Sequence, residues 1–188
     1  MTLTQKIGQT IQADFYSLTT NKNVTEPTEA IKRSFGSLLV GGNAAINEQG
    51  NLVRLPEFDE KKAKEAYANG TIDKWQKLSA KFDYTIEVKT TEGKTYGIKP
   101  LLGTDAVHNN QHVSGTILFP HNLGLSCSHN PDNFYNVGKW TAKNVKESGF
   151  NYVFAPTVAV SHNPQWGRFY ESMGQDHDLI YQYAAAFT

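Results

Sequence analysis

Two stretches of the chain carry the residues best suited to hold a polar ligand. The first runs Gly103-Thr104-Asp105-Ala106-Val107-His108, and the second contains Trp166-Gly167-Arg168 followed by Glu171. A carboxylate such as Asp105 can accept hydrogen bonds from two hydroxyl groups, and a guanidinium held among aromatic residues is a rigid donor of several hydrogen bonds. Together they could hold a sugar or a polyol. A structural interpretation stays open for both. Asp105 could cap the next turn or pair with a neighbour, and Arg168 could be tied to a carbonyl group or to Glu171.

The histidines do not form a pattern that predicts metal chemistry. His108 and His112 are four residues apart, but Asn109, Asn110 and Gln111 between them are poor ligands and the surrounding sequence does not favour a helix. The remaining histidines are predicted to form hydrogen bonds in loops or to pack in the interior; they are His121, His129, His162 and His177. A nucleophilic-serine motif, a phosphate-binding glycine loop and a dinucleotide fingerprint are all missing from the sequence, so no cofactor and no metal is predicted.

Length and charge narrow the class of protein. The chain has 188 residues, which fits one domain or part of a larger one. Its 18 basic and 18 acidic residues balance, so neither a nucleic acid nor an anionic membrane is a predicted partner. No stretch is long and apolar enough to span a membrane. The single cysteine, Cys127, excludes a disulfide within the chain and is predicted to be a small buried residue.

The first part of the chain contains helix signals and one long polar stretch. Apolar residues at helical spacing predict an amphipathic helix over residues 3–13. A short helix is predicted from Pro27 to Gly36, and one or two helices over 59–82 with a break at Asn69-Gly70. Residues 44–58 are predicted to form a polar loop.

Strand signals alternate with helix signals in the rest of the chain. Short apolar runs predict buried strands at 37–40, 100–105 and 152–156, and an alternating pattern around Glu92-Gly93 predicts a β-hairpin over 83–98. Helices are predicted from an Asn130 cap to Gly149 and over residues 176–187. This order indicates an α/β fold of parallel βαβ units. Ligands bind at the carboxyl ends of strands in such folds, and Asp105 and Arg168 both follow a strand there.

Several of these motifs occur together in one known family. The Gly103–His108 run, the Gly115–Leu125 run with Phe119-Pro120-His121-Asn122, the Phe154-Ala155-Pro156 strand and the Asn163–Ser172 run resemble the amino-terminal barrel of glycoside hydrolase family 3. The β-glucosidase and exo-β-glucanase branch is the best match, because the Glu-Gly-Gly run of the β-N-acetylglucosaminidase branch does not follow Asp105. Asn109 stands where that family commonly has glycine. The resemblance spans most of the chain, with the hairpin at 83–98 as an insertion.

The resemblance implies a fold and a site. Residues 1–188 would form the amino-terminal portion of a (β/α)8 (TIM) barrel with about three βα units, since a closed barrel needs about 250 residues. Asp105 would bind hydroxyl groups of the non-reducing glucosyl unit in the −1 subsite, and Arg168 would hold the same sugar. His108, Trp166 and Glu171 would shape the loops. No cofactor is implied. The partner would be a β-glucoside or a β-glucan oligosaccharide, in a secreted, vacuolar or periplasmic setting.

The resemblance also implies that catalytic groups lie elsewhere. The family's Lys-His sugar-binding pair, its nucleophilic aspartate and its acid/base glutamate cannot be mapped onto residues 1–188, so no catalytic residue is assigned. A retaining β-glucosidase mechanism is expected for the complete protein, and this chain alone is expected to be inactive. The missing barrel half or self-association would be needed for a closed fold. The alternative is a non-catalytic half-barrel that binds sugar or assembles with a partner.

Overall fold

A computed structural model of the chain describes residues 1–19, 28–41, 44–55 and 59–188. The chain divides into two compact units. The first unit comprises Met1–Thr104, His112–Ser114 and Ser148–Tyr152, and the second comprises Asp105–Gln111, Gly115–Glu147 and Val153–Thr188. The residues predicted to bind a ligand, Asp105 and Arg168, therefore lie in the same unit.

The first unit contains most of the strands. In chain order its elements are α1 (Leu3–Gln9), β1 (Gln12–Asp14), α2 (Phe15–Thr19), α3 (Thr28–Arg33), β2 (Ser37–Val40), β3 (Ala44–Ile46), β4 (Leu52–Arg54), α4 (Glu60–Asn69), α5 (Ile72–Ala80), β5 (Ile86–Lys89), β6 (Thr95–Ile98) and β7 (Leu101–Thr104). The elements that follow are α6 (Asn122–Ser126), α7 (Pro131–Glu147), β8 (Tyr152–Val153), a 3₁₀ helix (Phe169–Glu171) and α8 (His177–Phe187).

A four-stranded sheet in the order β1-β2-β7-β8 confirms the predicted α/β class. Strands β1 and β2 are parallel, with Gln12 opposite Ser37, and β2 and β7 are parallel, with Ser37 opposite Leu101. Leu38 and Val40 of β2 and Thr104 of β7 are almost completely buried, as expected for a sheet covered by other elements. Within the described ranges these four strands do not close into a ring.

The sheet differs from the prediction at both edges. Strand β1 was not predicted, because the apolar spacing of the first residues was interpreted as a helix over 3–13. At the other edge, the strand predicted at 152–156 is only two residues long. The number of strands in a short sheet depends on pairing between distant segments, and a local apolar pattern does not report that pairing.

Helix α1 ends four residues earlier than predicted. Thr2 and Gln5 form a capping box at its start, and the backbone N–H of Thr10 closes its last turn on the Gly8 and Ile7 carbonyls. The apolar side chains that suggested a buried stripe are 73% exposed for Leu3 and 53% exposed for Ile7. The buried residue is Gly8, where a Cβ atom would meet backbone carbonyls at the end of α3. Close backbone approach at a glycine, rather than an apolar stripe, positions this helix.

The polar loop predicted over 44–58 is wrong for the residues the structure describes there. Strands β3 and β4 pair antiparallel, with Ala44 opposite Arg54. The turn between them is closed by a hydrogen bond from the Gly50 N–H to the Asn47 carbonyl at 3.0 Å, and Gly50 has a φ of 78° that glycine adopts readily. All three residues of β3 are buried. Residues 56–58 of the predicted loop lie outside the described residues.

The middle of the first unit follows the predicted pattern. Helices α4 and α5 are separated at Gly70, and α5 buries Trp75 and Leu78. The Trp75 Nε1–H donates to the His112 carbonyl at 2.8 Å, which satisfies the buried indole. Strands β5 and β6 form an antiparallel hairpin, with Ile86 opposite Ile98. The helix predicted from Pro27 to Gly36 is Thr28–Arg33, and Pro27 lies outside the described residues.

The second unit has its core between α7 and α8. Both helices were predicted, and α7 buries one face, at Phe134, Val137, Thr141 and Val145. Phe134 stacks on Tyr183 with ring centroids 4.3 Å apart. Cys127 is exposed, which corrects the predicted burial: it is the C-cap of the short helix α6, whose inner face is formed by other residues. Among the described residues, none of the helices is long and apolar enough to cross a membrane.

Candidate functional site

The loop after β7 is held in an unusual backbone conformation directly beyond Asp105. Asp105 is half-buried, and Ala106 and Asn109 have φ values of 45° and 76°, in the left-handed region. A left-handed alanine is strained, whereas asparagine tolerates this region better than most residues. Strain of this kind persists only where surrounding contacts determine the loop. It is a feature of ligand-holding loops.

Asn109 provides those contacts. Its Nδ2–H donates to the Ile117 carbonyl at 2.8 Å, and its Oδ1 accepts from the Asn110 backbone N–H at 2.8 Å and from the Asn144 Nδ2–H at 2.9 Å. The Asn109 side chain is buried. A glycine could adopt the same φ but could make none of these side-chain bonds. The chain therefore fixes the loop after Asp105 by side-chain hydrogen bonds.

A pair of histidines extends this loop towards the second predicted stretch. His108 Nε2 lies 2.8 Å from His121 Nδ1, so one imidazole donates to the other, and the rings meet edge to face. His121 in turn contacts the Tyr170 ring edge to face, with centroids 4.6 Å apart. His121 is the residue before α6, and Tyr170 lies in the 3₁₀ helix. The three rings thus connect the loop after β7 with the loop that contains Arg168.

Arg168 is bound to Glu171 at two points. Its Nε–H donates to Oε1 at 2.9 Å and its Nη2–H donates to Oε2 at 2.6 Å. The 3₁₀ helix from Phe169 to Glu171 places the two residues three apart, which brings their side chains together. The Asn122 Nδ2–H also donates to the Glu171 carbonyl at 2.8 Å, so the backbone of Glu171 is fixed as well.

The charges of these residues influence one another. The Arg168 hydrogen bond lowers the pKa of the Glu171 carboxyl, burial opposes that shift, and the charge of His108 lowers it further. Glu171 raises the pKa of Arg168, and the charge of Asp105 raises it slightly further. Burial lowers the pKa of His108, as does the charge of His121. His108, Arg168 and Glu171 are therefore electrostatically coupled, and Asp105 makes the smallest of the contributions at Arg168.

The structure brings together four of the five residues that the sequence singled out. His108, Arg168 and Glu171 are coupled as described, and Asp105 lies in the same compact unit and adds a small charge contribution at Arg168. The structural interpretation of Arg168 also holds, since it is tied to Glu171. The Trp166 backbone helps to form the turn, because its N–H donates to the Asn163 carbonyl and its carbonyl accepts from the Phe169 N–H. The ligand-binding and loop-shaping roles of all five residues stay predictions.

Sequence reasoning missed three contributors to the site: His121, Tyr170 and Asn122. His121 was predicted only to form a hydrogen bond in a loop or to pack in the interior, and its bond to His108 confirms the first of these. Tyr170 and Asn122 were quoted only as parts of motifs. The signal available was the position of His121-Asn122 just before an apolar run, which is typical of residues at the start of a helix. The distance of 13 residues between His108 and His121 gives no indication that the two rings meet.

Metal-binding geometry is not found where the structure describes the chain. Within those residues, no group of three or more His, Cys, Asp or Glu side chains is arranged to hold a metal ion. His108 and His112, the two histidines considered as metal ligands, make other contacts. His108 is hydrogen-bonded to His121, whereas His112 Nδ1 lies 3.0 Å from the Ala44 carbonyl.

Comparisons with known proteins agree on one family. A sequence model of the Glycosyl hydrolase family 3 N terminal domain matches residues 2–188. A lysosomal beta glucosidase from Dictyostelium discoideum is 27% identical over 176 residues, which cover 94% of this chain and 20% of that protein. The crystal structure of an exo-1,3/1,4-beta-glucanase from a Pseudoalteromonas species matches with a TM-score of 0.70 and 34% identity, over 100% of this chain and 20% of the other.

A third relative adds a bound sugar. The structure of a mutant beta-glucosidase from Listeria innocua in complex with laminaribiose matches with a TM-score of 0.60 and 21% identity, over 100% of this chain and 22% of the other. At that identity the likeness concerns the fold. The present chain spans about a fifth of the length of each of these three relatives.

Proposed function

The chain belongs to glycosyl hydrolase family 3, and on that premise we propose that it supplies part of the −1 subsite of an enzyme that removes terminal, non-reducing β-D-glucosyl residues. One observation carries the proposal. Asp105 lies in the same compact unit as the Arg168–Glu171 pair, and its charge adds to the field that raises the pKa of Arg168. A carboxylate and a guanidinium held in one plane form the kind of site that binds neighbouring hydroxyl groups of one ring.

We propose a role for each residue. Asp105 accepts hydrogen bonds from two sugar hydroxyls. It lies on the loop that Asn109 holds in place. Arg168 has five N–H groups, two of which bind Glu171, and it donates others to the same sugar. Glu171 is a positioning residue that fixes the guanidinium plane. His108 and Trp166 shape the two loops, His108 through its bond to His121.

Hydrolysis with retention requires two further carboxyl groups. A retaining glycosidase uses a nucleophile and an acid/base about 5–5.5 Å apart. Glu171 is poorly suited to donate a proton, because Arg168 holds the pKa of its carboxyl below the ordinary value and occupies both oxygens. Asp105 is assigned to binding. The nucleophilic aspartate and the acid/base glutamate of the family cannot be mapped onto these 188 residues, so we propose that both catalytic carboxyl groups lie outside them.

The relatives support a proposal for the substrate class. The named relatives are a beta glucosidase and an exo-1,3/1,4-beta-glucanase, and a further one binds laminaribiose. We propose β-glucosides and short β-1,3- or β-1,4-linked glucans as substrates of the complete protein. The glucosyl unit at the non-reducing end would occupy the Asp105–Arg168 site.

The stereochemistry of the product tests this proposal. Full-length protein is mixed with an aryl β-D-glucoside, and the anomeric proton of the released glucose is followed by NMR. We expect the β-anomer to appear first, because a double displacement retains configuration. Initial release of the α-anomer would exclude retention. Binding of the glucoside without any hydrolysis would favour the non-catalytic alternative.

A further inference from the structure

A pocket lies in the second compact unit, beside α7 and next to the loop that follows Asp105. It has a volume of about 280 Å³. Its walls come from α7 and from the loop between Asn109 and Phe119; the lining residues are Asn109, Gly115, Thr116, Ile117, Phe119, Trp140 and Asn144. Asp105, His108, Arg168 and Glu171 do not line it.

The apolar part of this pocket is open to solvent. Trp140 projects from α7 with 49% of its surface exposed, and Ile117 and Phe119 add further apolar surface. Lys143 Nζ lies 5.0 Å from the centre of the Trp140 ring, and Lys143 is not one of the lining residues. A large exposed indole at the wall of a cavity is a flat surface that can stack against a ligand.

The polar groups of the pocket are held in fixed positions. Asn144 Nδ2–H donates to Asn109 Oδ1 at 2.9 Å, and the Thr116 hydroxyl donates to the Asn110 carbonyl at 2.9 Å. Amide and hydroxyl groups can take part in more than one hydrogen bond each. Amides held by these bonds can therefore orient a polar ligand without being ordered by it, which lowers the entropic cost of binding.

The chemistry of the lining selects the class of ligand. Among the described residues, no Asp, Glu, Lys, Arg or His lines the pocket, which argues against a phosphate, a carboxylate or a cation. A pyranose ring has an apolar C–H face that can stack on an indole and a rim of hydroxyl groups that can bond to amides. The geometry points to a second carbohydrate site on this unit, which binds one uncharged pyranose unit of a longer glycan through Trp140 and Asn144.

This inference goes beyond the proposed function. Only the choice of a β-glucan as the probe rests on the proposed function. If the enzyme acts on β-glucans, a second site would hold the polysaccharide near the point of cleavage. Binding to the pocket itself does not require hydrolysis. The test therefore uses binding, not activity, so that failure of this inference and failure of the proposed function can be distinguished.

The experiment is affinity electrophoresis of full-length protein in native gels with and without a soluble mixed-linkage β-1,3/1,4-glucan. All variants carry Asp105→Ala to suppress binding and cleavage at the first site. We compare Trp140→Ala with Tyr135→Ala, because Tyr135 lies on the same helix, is 55% exposed and does not line the pocket. Trp140→Phe keeps a flat ring and serves as the conservative variant. Mobility in glucan-free gels reports whether each variant is folded.

We expect retardation by the glucan in the parent, in Tyr135→Ala and, within about threefold, in Trp140→Phe. In Trp140→Ala the apparent dissociation constant should rise roughly threefold to tenfold, the loss expected for one aromatic stack. Equal retardation of Trp140→Ala and Tyr135→Ala would overturn the inference. So would a parent that the glucan does not retard at all, which is the result expected if another segment of the full-length protein covers the pocket.

Discussion

Arg168 and Glu171 are joined by two parallel hydrogen bonds, at 2.9 and 2.6 Å, yet their side chains differ sharply in exposure, at 67% for Arg168 and 12% for Glu171. The Glu171 carboxylate is therefore mostly buried, and it holds the exposed Arg168 guanidinium in a fixed plane at the surface. An exposed arginine without such a partner would sample many orientations. The pair converts a flexible side chain into a preorganised donor.

Replacing Glu171 by glutamine should release Arg168 from that plane. Glu171→Gln keeps the size of the side chain but removes its charge, so we expect kcat/KM for an aryl β-glucoside to fall about tenfold, the lower range for loss of a charged hydrogen bond. The matched control is Glu147→Gln, because Glu147 also pairs with a cation on the surface, Lys143, at 3.8 Å. Equal kcat/KM values for the two variants would show that Glu171 does not position Arg168.

The same pair predicts how stability depends on pH. Arg168 lowers the pKa of Glu171 below its ordinary value of 4.5 in the folded protein. The unfolded state therefore binds more protons near that pH, and the contribution of Glu171 to stability is present above about pH 4.5 and lost as the pH falls through the lower folded value. The melting temperatures of the wild-type protein and of Glu171→Gln, measured from pH 3 to pH 7, should converge at the acidic end. A constant difference would contradict the lowered pKa.

His108 should titrate below its ordinary pKa. Burial, and then the charge of His121, lower the pKa of His108 from 6.5 in the folded protein. An NMR titration of the imidazole protons should therefore give a midpoint for His108 below 6.5. His121→Phe keeps a ring beside Tyr170 but removes the charge, so the midpoint for His108 should rise in that variant. A midpoint for His108 at or above its ordinary pKa in the wild-type protein would show that burial and His121 do not lower the pKa of His108.

Much of this arrangement is predictable from the sequence, for identifiable reasons. Strand β7 and the helix α7 are marked by an apolar run and by a proline and a glycine at the expected positions, and Asp105 is placed by the end of the strand it follows. These signals are local. The motifs around Asp105 and Arg168 also identify the family, because several of them occur in order along one chain.

The features that the sequence did not predict depend on contacts between distant segments. Strand β1 exists because it pairs with β2, and α1 is positioned by the close approach of Gly8 to the end of α3. The hydrogen bond between His108 and His121 likewise requires the loop between them to fold back. The hairpin of β3 and β4 was missed for a different reason, since its strands have three residues each and are too short for an alternating pattern.

Asn109 offers a test of how the loop after Asp105 is held. Asn109→Gly keeps the permitted backbone conformation but loses three side-chain hydrogen bonds, so we expect the free energy of unfolding to fall by about 1–3 kcal/mol. Asn109→Ala loses the same bonds and also places a Cβ atom at a φ of 76°, which should cost about 1 kcal/mol more. Denaturant unfolding measures both. An alanine variant as stable as the glycine variant would indicate that the left-handed conformation is not maintained.

Asp105→Ala in the full-length protein tests the sugar-binding assignment most directly. The measurement is kcat/KM for an aryl β-D-glucoside, with Asp132→Ala as the control, because Asp132 is an exposed carboxylate in the first turn of α7. Loss of two charged hydrogen bonds to sugar hydroxyls predicts a fall of roughly a hundredfold or more for Asp105→Ala and a change within about twofold for the control. A folded Asp105→Ala variant with kcat/KM within about twofold of wild type would contradict the assignment of Asp105 to the glucosyl ring.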